Sequence, residues 1–334
     1  MKVMVGIKAL NEEQKIAAAI DSALAAVRPI GGYVIIADSG SQDRTIEIAK
    51  SYPVQIVQLA HAAERSCGAG AQLAFQHVNC EYFYLLDGDM VLASGFLSSG
   101  IKFLDENQDF AGVGGQAKEM NTEAHEFRIQ AAELAGRRWR PGIVDRLDGG
   151  GLYRVSAIRQ VGYFADRNLH AFEEFELAAR LRSNGWKLAR IDEPSVEHFG
   201  HTENGYTLMW RRFRSGYTGA SGEVLRGALG KKHFRHVVRN LSHIRTSVIV
   251  VGWWLGLVLS VFLAPNIPAS ILLLGFLIVI PCTLLVHRRR SLVLGLFSFV
   301  SWNLNAIGLI TGLFRSRVSP ETPLDSINLQ NRVS

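Results

Sequence analysis

The chain contains little cysteine and no secretory signal. Its 334 residues include three cysteines, Cys67, Cys80 and Cys282, which are too few and too scattered for a disulfide framework or a zinc site. The first apolar run, Val3 to Ile7, has only the length of a strand, and polar residues from Asn11 onward stop it. We therefore expect reduced cysteines and an N-terminal region that stays in the cytoplasm.

Two common catalytic motifs are also missing from the sequence. It has no Gly-x-x-x-x-Gly-Lys-Ser/Thr loop, so nothing supports a P-loop kinase or ATPase. It has no Gly-x-Ser-x-Gly elbow either, so nothing supports a hydrolase of that type. The hydrophobic content of 48% excludes a disordered chain.

Charge is unevenly distributed along the chain. The formal net charge is +6, but residues 1–209 carry −6 and residues 210–245 carry +8. Residues 246–314 contain only three charged side chains, the adjacent arginines Arg288 to Arg290. Because a uniformly basic nucleic-acid-binding protein would not have an acidic first two thirds, nucleic acid is not expected as a partner.

Three apolar stretches near the C-terminal end predict membrane helices. They are Thr246 to Ala264, Ala269 to Val286 and Leu292 to Phe314. Each has about the ~20 residues that a helix needs to cross ~30 Å of hydrocarbon. Buried helices of a soluble core would need three such segments in succession without a polar face, which is the less favoured interpretation. The short link 265–268 makes the first two segments a hairpin.

Basic residues predict the orientation of these helices. Residues 210–245 and Arg288 to Arg290 belong in the cytoplasm, with the uncharged link outside. Three full spans would put the tail outside, yet Arg315 and Arg317 directly follow the third segment, which also contains two asparagines. An alternative is a re-entrant or tilted third segment that returns the tail to the cytoplasm. We expect a multi-pass protein of the cytoplasmic (inner) membrane with its catalytic domain in the cytoplasm.

Strand-like and helix-like segments alternate over residues 1–200. Such alternation indicates a parallel sheet with helices on both faces, in which ligands bind beyond the carboxyl ends of the strands. We expect Asn11 to cap the first helix and Asp43 to cap the second. The predicted strands are Val3 to Ile7, Tyr33 to Ala37, Val54 to Leu59 and Tyr82 to Leu86, and the predicted helices are Glu12 to Val27, Arg44 to Ser51 and Gly68 to Val78.

Acidic residues follow two of these strands. Asp38 ends the second strand, and Asp87-Gly88-Asp89 follows the fourth. Two carboxylates around a glycine suit a divalent ion, Mg²⁺ or Mn²⁺, held against phosphate. A lone Asp-x-Asp triplet is common in surface turns, but its position after an apolar strand favours a metal site.

A second acidic cluster opens a predicted helix. Glu173 and Glu174 stand at the start of this helix, where the helix dipole keeps a carboxylate ionised and suited to act as a general base. The alternative is that these are ordinary exposed acids of a first turn. The preceding Gly149 to Gly151 allow close approach of the backbone to a ligand.

Together, these motifs resemble the family 2 glycosyltransferases, which have a GT-A fold. The resemblance covers about residues 1–200 and places the motifs in the family's order. The matching segments are Ala9-Leu10-Asn11-Glu12-Glu13, Ala37-Asp38-Ser39-Gly40-Ser41-Gln42-Asp43-Arg44-Thr45, Leu85-Leu86-Asp87-Gly88-Asp89, Gly149-Gly150-Gly151-Leu152-Tyr153-Arg154 and Glu173-Glu174-Phe175-Glu176-Leu177 with Arg180-Leu181. The implied fold is α/β: a Rossmann-like, mainly parallel sheet with helices on both faces, followed by transmembrane helices.

The resemblance implies inverting transfer of a sugar from a nucleotide-sugar, with a UDP-sugar as the expected donor. By position, Asp38 contacts the nucleotide base, and Asp87 and Asp89 face the diphosphate and its metal. Glu174 is the implied base, with Glu173 as the alternative. The other implied donor-site residues are Asn11, Glu13, Arg65 and Gly150, and His198 stands where some relatives bind the metal.

The basic residues 210–245 support two interpretations. As an amphipathic interfacial segment they would bind anionic lipids. Alternatively, Arg211, Arg212 or Arg214 meets the phosphates of a lipid-linked acceptor, since arginine binds phosphate in bidentate fashion. Met209 and Phe213 replace the Gln and Trp of the Gln-x-x-Arg-Trp motif in processive synthases, so a polymerising synthase is not expected.

The sequence therefore predicts a metal-dependent inverting glycosyltransferase that adds one sugar to a lipid-linked saccharide in bacterial surface polysaccharide synthesis. Transfer to a polyprenyl phosphate is one alternative, and a non-catalytic membrane docking subunit is another. The expected regions are a GT-A domain (1–209), a basic interfacial segment (210–245), three transmembrane or re-entrant helices (246–314) and a polar tail (315–334).

Overall fold

The computed structural model describes residues 1–120, 140–199 and 204–329. These form two compact units. The catalytic unit contains the described residues up to 199 together with residues 317–329. The membrane unit contains residues 204–316.

The catalytic unit alternates strands and helices through its first half, as predicted. The later strands follow with fewer helices between them, and β5 comes after β4 without any helix. Its elements are β1 (Val3–Ala9), α1 (Ile16–Val27), β2 (Tyr33–Asp38), α2 (Thr45–Ala49), β3 (Gln55–Leu59), α3 (Cys67–Phe75), β4 (Tyr82–Asp87), β5 (Met90–Leu92), α4 (Phe96–Glu106), β6 (Phe110–Glu119), β7 (Gly142–Val144), β8 (Gly151–Arg154), α5 (Val155–Gln160), α6 (Glu173–Ser183) and β9 (Lys187–His198).

These strands form one mixed sheet. Strands β3, β2, β1 and β4 are parallel neighbours in that order, which confirms the parallel pairing predicted for the first half. Beyond β4 the sheet departs from a purely parallel one, because β8 runs antiparallel to both β4 and β6. The order continues through β9 to β5, with β7 also on β9.

Helices cover both faces of the sheet, as predicted. On one face, α1 and α4 bury apolar residues such as Ile20 and Leu104 against the strands. On the other face, α3, α5 and α6 bury residues such as Leu73, Ile158 and Leu177. The carboxyl ends of the parallel strands therefore stand on a rigid framework.

The predicted N-cap at Asn11 is wrong. Helix α1 begins at Ile16 and has no side-chain cap. Asn11 adopts a left-handed backbone conformation with φ of 58°, and its side chain accepts a hydrogen bond from the backbone N–H of Gln42 instead. Asp43 is not the N-cap of α2 either, because Arg44 occupies that position, but its carboxylate accepts a hydrogen bond from the backbone N–H of Thr45, the first residue of α2.

The membrane unit is helical. Helices α10, α11 and α12 are long and apolar enough to cross a membrane by length and composition, as predicted, and α12 has the same limits as the predicted third segment. Their mean hydropathies are 2.1, 2.7 and 1.6, respectively. The elements are α7 (Gly205–Arg214), α8 (Ala220–Ala228), α9 (Phe234–Asn240), α10 (Ser242–Leu263), α11 (Ile267–Arg289) and α12 (Leu292–Phe314), with a 3-10 turn at Tyr217–Gly219.

The C-terminal residues belong to the catalytic unit. Strand β10 (Ser326–Asn328) pairs antiparallel with β3 and becomes an edge strand of the sheet. Leu324, just before it, is 3% exposed and packs in the core. Residues 317–329 are thus part of the folded domain, whereas the sequence predicts a separate polar tail.

Candidate active site

The strand register brings three charged residues of the site together. In the parallel pairing of β1 with its neighbours, Ala9 lies opposite Asp38 and Lys8 lies opposite Asp87. These positions are at the carboxyl ends of three adjacent strands, where parallel sheets bind ligands. The site is therefore built around the end of β1.

Asp38 is buried and holds the turn that follows β2. Its Oδ2 accepts hydrogen bonds from the backbone N–H groups of Gly40 and Ser41, at 2.7 and 2.8 Å, and from Gln58. Arg65 lies against the same turn and donates to the carbonyl oxygens of Ser39 and Gly40. The contact of Asp38 with a nucleotide base stays a prediction, and the structure adds that this carboxylate shapes the turn.

Asn11 and Glu13 join two loops at the edge of the site. The carboxylate of Glu13 accepts a hydrogen bond from the backbone N–H of Arg44 at 3.1 Å, and its own backbone N–H donates to Asp43. Asn11 makes a similar reciprocal pair, because its backbone N–H donates to the hydroxyl of Ser41. Both predicted donor-site residues therefore hold the loops after β1 and β2 against each other.

Lys8 links two of the predicted carboxylates. Its Nζ lies 2.6 Å from Oε1 of Glu173 and 3.1 Å from Oδ1 of Asp87. Burial alone would lower the pKa of Lys8, but the two carboxylates raise it well above its usual value. Burial would likewise raise the pKa of Glu173, yet Lys8 lowers it on balance. Lys8 and Glu173 are thus a buried ion pair.

Asp89 and His198 meet on the other side of the glycine turn. The Nε2 atom of His198 lies 3.3 Å from Oδ2 of Asp89, and its Nδ1 lies 2.5 Å from Oε2 of Glu119. Burial would lower the pKa of His198, but hydrogen bonds to Asp89 and Glu119 raise it to about 9. Glu119 fixes the orientation of the imidazole ring, as carboxylates behind metal-binding histidines do.

Glu12 adds a further acidic group beside Asp89. Burial, followed by repulsion from Asp89, raises the pKa of Glu12 to about 7. Lys15 lies 3.9 Å from Asp89 and donates to the carbonyl oxygen of Phe199. The region around Asp87 and Asp89 is therefore rich in carboxylates, which would be stabilised by added positive charge.

Glu174 differs from its neighbour Glu173 in its contacts. Its Oε2 accepts a hydrogen bond of 3.2 Å from the backbone N–H of Gly149, and within the described part of the chain its buried Oε1 has no hydrogen-bond partner. Burial, followed by repulsion from Asp148, raises the pKa of Glu174 to about 8. Gly150 has φ of +94°, and a Cβ there would lie 2.8 Å from the hydroxyl of Tyr84, so any other residue would be strained at this position.

The donor atoms suit a divalent ion only in part. Among the described residues, no group of three or more His, Cys, Asp or Glu side chains is arranged to hold a metal. Asp89 and His198 nevertheless offer an oxygen and a nitrogen 3.3 Å apart. Mg²⁺ and related ions are commonly held by one or two protein ligands plus the phosphates of a substrate. The pair therefore fits a metal whose remaining ligands come from a diphosphate.

The arginines predicted to contact an acceptor lie in the membrane unit. Arg211, Arg212 and Arg214 are in the last turns of α7. The guanidinium of Arg212 stacks over the ring of Tyr217, 4.7 Å from its centroid. Arg211 and Arg214 are exposed.

Sequence reasoning missed three residues of the site. Lys8 lies within an apolar strand, where nothing in the local pattern indicates a role. Glu119 is 79 positions from His198 in the chain, so only pairing of β6 with β9 reveals the contact. Glu12 belongs to one of the matching motifs, but the motif implies a role in donor binding only for its neighbours Asn11 and Glu13.

Comparison with known proteins supports this description. Residues 4–162 match the family model described as Glycosyl transferase family 2. The match includes Asp38, Asp87 and Asp89, and it ends before Glu173 and Glu174. No curated protein sequence matches the chain.

Two solved structures share the fold. Mannosyltransferase PcManGT from Pyrobaculum calidifontis, in complex with GDP-Man and Mn2+, has a TM-score of 0.58 and 18% identity, over 92% of this chain and 87% of that chain. Residues 1–349 of S. aureus TarS, in complex with UDP-GlcNAc, have a TM-score of 0.50 and 15% identity, over 94% of this chain and 91% of that chain. Against a longer TarS chain, the match spans 44% of that chain. At these identities the likeness shows the fold alone.

The family match and the shared fold agree with the resemblance read from the sequence motifs. Residues 4–162 are similar to the family 2 glycosyltransferases, and the chain shares the fold of a solved mannosyltransferase.

Proposed function

We propose that this protein is a metal-dependent, inverting glycosyltransferase of the inner membrane. It transfers one sugar from a nucleotide-sugar, with a UDP-sugar as the expected donor, to a hydroxyl of a lipid-linked saccharide at the cytoplasmic face. The product would be an intermediate of a bacterial surface polysaccharide. The observation that carries the proposal is the pair of Asp89 and His198 standing beside Asp87, on the same edge of the sheet as Glu174.

The nucleotide-sugar part of the proposal is supported by the comparisons. PcManGT is described in complex with GDP-Man and Mn2+, and TarS in complex with UDP-GlcNAc. In this chain, Asp38, Arg65 and the loops joined by Asn11 and Glu13 form the edge next to β2 where the nucleotide would bind. Asp89 and His198 would hold the metal, which neutralises charge on the leaving diphosphate.

Glu174 is the proposed general base. Glu173 is bound by Lys8 and stays ionised, so its carboxylate is not available to accept a proton from a substrate. Glu174 keeps one oxygen without a partner among the described residues, and burial raises its pKa toward that of a base working near neutral pH. In the reaction, Glu174 takes the proton of the acceptor hydroxyl while the oxygen of that hydroxyl bonds to the anomeric carbon of the donor sugar. The bond from that carbon to the diphosphate breaks on the opposite face.

The proposal is tested by binding and transfer with purified full-length protein in detergent. A panel of nucleotide-sugars is screened by calorimetry with and without Mn²⁺, and one member should bind only with the metal. Asp89→Asn should remove this metal-dependent binding. Glu197→Gln, next to His198 on β9 but with a half-exposed side chain, is the matched control and should bind normally. Absence of metal-dependent binding throughout the panel would instead favour the non-catalytic docking subunit.

Glu174→Gln tests the assigned base. Removal of a general base typically costs about 10²–10⁴-fold in rate. The variant should therefore bind donor normally but lose transfer to that extent. Glu176→Gln is not a suitable control, since Glu176 pairs with Arg180 in the core, so Glu197→Gln serves here too.

One observation favours a second candidate function, transfer to a polyprenyl phosphate. Because the pKa of Glu174 is raised to about 8, much of it is protonated at neutral pH. A phosphate acceptor is already an anion and needs no base. Full activity of Glu174→Gln with a polyprenyl phosphate would establish this alternative over transfer to a hydroxyl.

A further inference from the structure

The end of the chain is fixed to the catalytic unit by several independent contacts. Arg317 forms an ion pair of 2.6 Å with Asp166, and the backbone N–H of Val318 donates to the side chain of Asn168. Only Arg315 and Ser316 separate these contacts from the end of α12 at Phe314. Together with β10 and Leu324, they anchor residues 317–329 in the catalytic fold.

We propose that α12 does not cross the membrane but lies along the lipid–water interface on the catalytic side. The chain leaves the catalytic unit before α7 and returns to it after α12. A chain that starts and ends on one side of a bilayer crosses it an even number of times. Three apolar helices therefore supply two crossings, and one helix must stay on the catalytic side. This inference depends on the proposed membrane anchoring but not on the transfer reaction.

The charges at the helix ends identify α12 as the helix that does not cross. The arginines Arg288 to Arg290 precede it, and Arg315 and Arg317 follow it. Basic flanks mark the cytoplasmic side, so both ends of α12 belong there. The link 265–268 between α10 and α11 is uncharged, as expected for a loop on the far side.

The composition and packing of α12 agree with this assignment. It has the lowest mean hydropathy of the three helices, 1.6, and the largest buried share, 33%. Its middle contains two polar side chains, Asn303 and Asn305. A polar centre and a buried face are less costly near the interface than in the hydrocarbon core.

The C-terminal half of α12 packs against the charged segment that precedes the membrane hairpin. Within the membrane unit, a Cβ on Gly308 would lie 2.3 Å from the carbonyl oxygen of Thr218, and one on Gly312 would lie 2.0 Å from that of Gly219. Arg315 pairs with Glu223 of α8. Because α7 and α8 carry arginines and a carboxylate, their intimate contact with α12 places all three helices at the interface rather than in the hydrocarbon.

The opposite side of α12 is suited to lipid. The helix is continuous over 23 residues, about 34 Å at 1.5 Å per residue, so it has no break at which a re-entrant loop could reverse. Its exposed side chains form an apolar stripe, as in helices that lie flat on membranes. The stripe consists of Val293, Leu296, Val300, Ile307, Ile310 and Phe314.

Cysteine labelling of the full-length protein in cells tests the inference. In a background with Cys67, Cys80 and Cys282 changed to alanine, single cysteines are placed at Pro265, Leu292 and Ser319. A membrane-impermeant maleimide should label Pro265→Cys in intact cells. It should label Leu292→Cys and Ser319→Cys only in inverted vesicles, because both ends of α12 face the cytoplasm. Labelling after detergent solubilisation checks that each cysteine is reactive.

Depth measurements provide a second readout that does not depend on labelling from one side. Spin labels at Val293, Val300 and Ile310 should show similar, shallow depths in vesicles, whereas one at Val258 in α10 should be deep. A steady change of depth along α12, or labelling of Ser319→Cys in intact cells, would overturn the inference. Neither readout requires activity, so a failed transfer assay leaves the outcome interpretable.

Discussion

Two adjacent glutamates acquire opposite properties from their contacts. Glu173 meets Lys8 and its pKa falls below the usual value, while burial and repulsion from Asp148 raise the pKa of Glu174 to about 8. Both stand in the first turn of α6, so the helix dipole acts on them alike. The position of one lysine on β1 therefore distinguishes Glu173 from the proposed base, Glu174.

Glu174 should make stability depend on pH. Its pKa is raised from 4.5 to about 8 on folding, so the folded state favours the protonated form. Stability from this group is present below about pH 4.5 and is lost as pH rises toward 8. We expect Glu174→Gln to match the wild type at pH 5 and to exceed it by roughly 2–4 kcal/mol at pH 8.5.

Thermal unfolding across this pH range, with chelator present, measures the effect of Glu174. Glu197→Gln is the control and should follow the wild type at each pH. A constant difference between Glu174→Gln and wild type from pH 5 to pH 8.5 would contradict the raised pKa.

Glu119 should act on the metal through His198. Loss of a carboxylate behind a metal-binding histidine typically costs about 10–100-fold in metal affinity. Glu119→Gln should therefore raise the Mn²⁺ concentration needed for half-maximal donor binding by that factor, with maximal binding retained. Titration of Mn²⁺ at a saturating donor concentration measures this, and Glu197→Gln again serves as the control. An unchanged Mn²⁺ requirement would remove Glu119 from the site.

At the scale of elements, the mixed sheet contains both strands that are consecutive in the sequence and a strand from the other end of the chain. The parallel strands β1 to β4 follow one another and carry Lys8, Asp38 and Asp87 to one edge. The edge next to β3 is completed by β10, from the other end of the chain. The membrane helices are thus inserted between two parts of one folded unit.

Leu324 should contribute strongly to the stability of the catalytic unit. It is 3% exposed, and truncation of a buried leucine to alanine costs about 2–5 kcal/mol. Leu324→Ala should lower the Tm of the purified protein by about 5–15 °C. Val318→Ala, in the same segment but 50% exposed, should shift it little. Equal effects of the two substitutions would show that the segment is not packed as described.

At the scale of the whole molecule, the net charge of +6 conceals two regions of opposite sign. The acidic part forms the catalytic unit, where carboxylates are used for the proposed metal and proton transfer. The basic part belongs to the membrane unit, where α7 to α9 precede the apolar hairpin. Electrostatics thus suits one region to bind cations and the other to bind anionic lipids.

Arg212 distinguishes attachment to the membrane from acceptor binding. One positive charge near the membrane surface contributes only about 1 kcal/mol to attachment, so Arg212→Gln should remain in the membrane fraction. If Arg212 binds acceptor phosphate, transfer should fall at least tenfold with donor binding unchanged. Arg235→Gln, another change in the basic segment, is the control for both assays. Transfer equal to that of this control would limit Arg212 to lipid binding.

Local sequence patterns were enough to predict the fold class, the apolar helices and the order of the acidic motifs. Hydrophobic periodicity and turn residues are local properties of the sequence, so they can be recognised without the tertiary structure. The sequence also indicated Asp87 and Asp89 as a pair, because a short turn keeps them together.

The contacts between charged groups of the site became visible in the three-dimensional structure. Lys8 on β1 meets Glu173 of helix α6 across 165 positions, and His198 meets Glu119 across 79 through the pairing of β6 with β9. No local pattern specifies either contact. The return of residues 317–329 to β3 is likewise a long-range pairing, and it changes the expected number of membrane crossings. Contacts between distant segments depend on how the whole chain packs, which is why the motifs alone left them open.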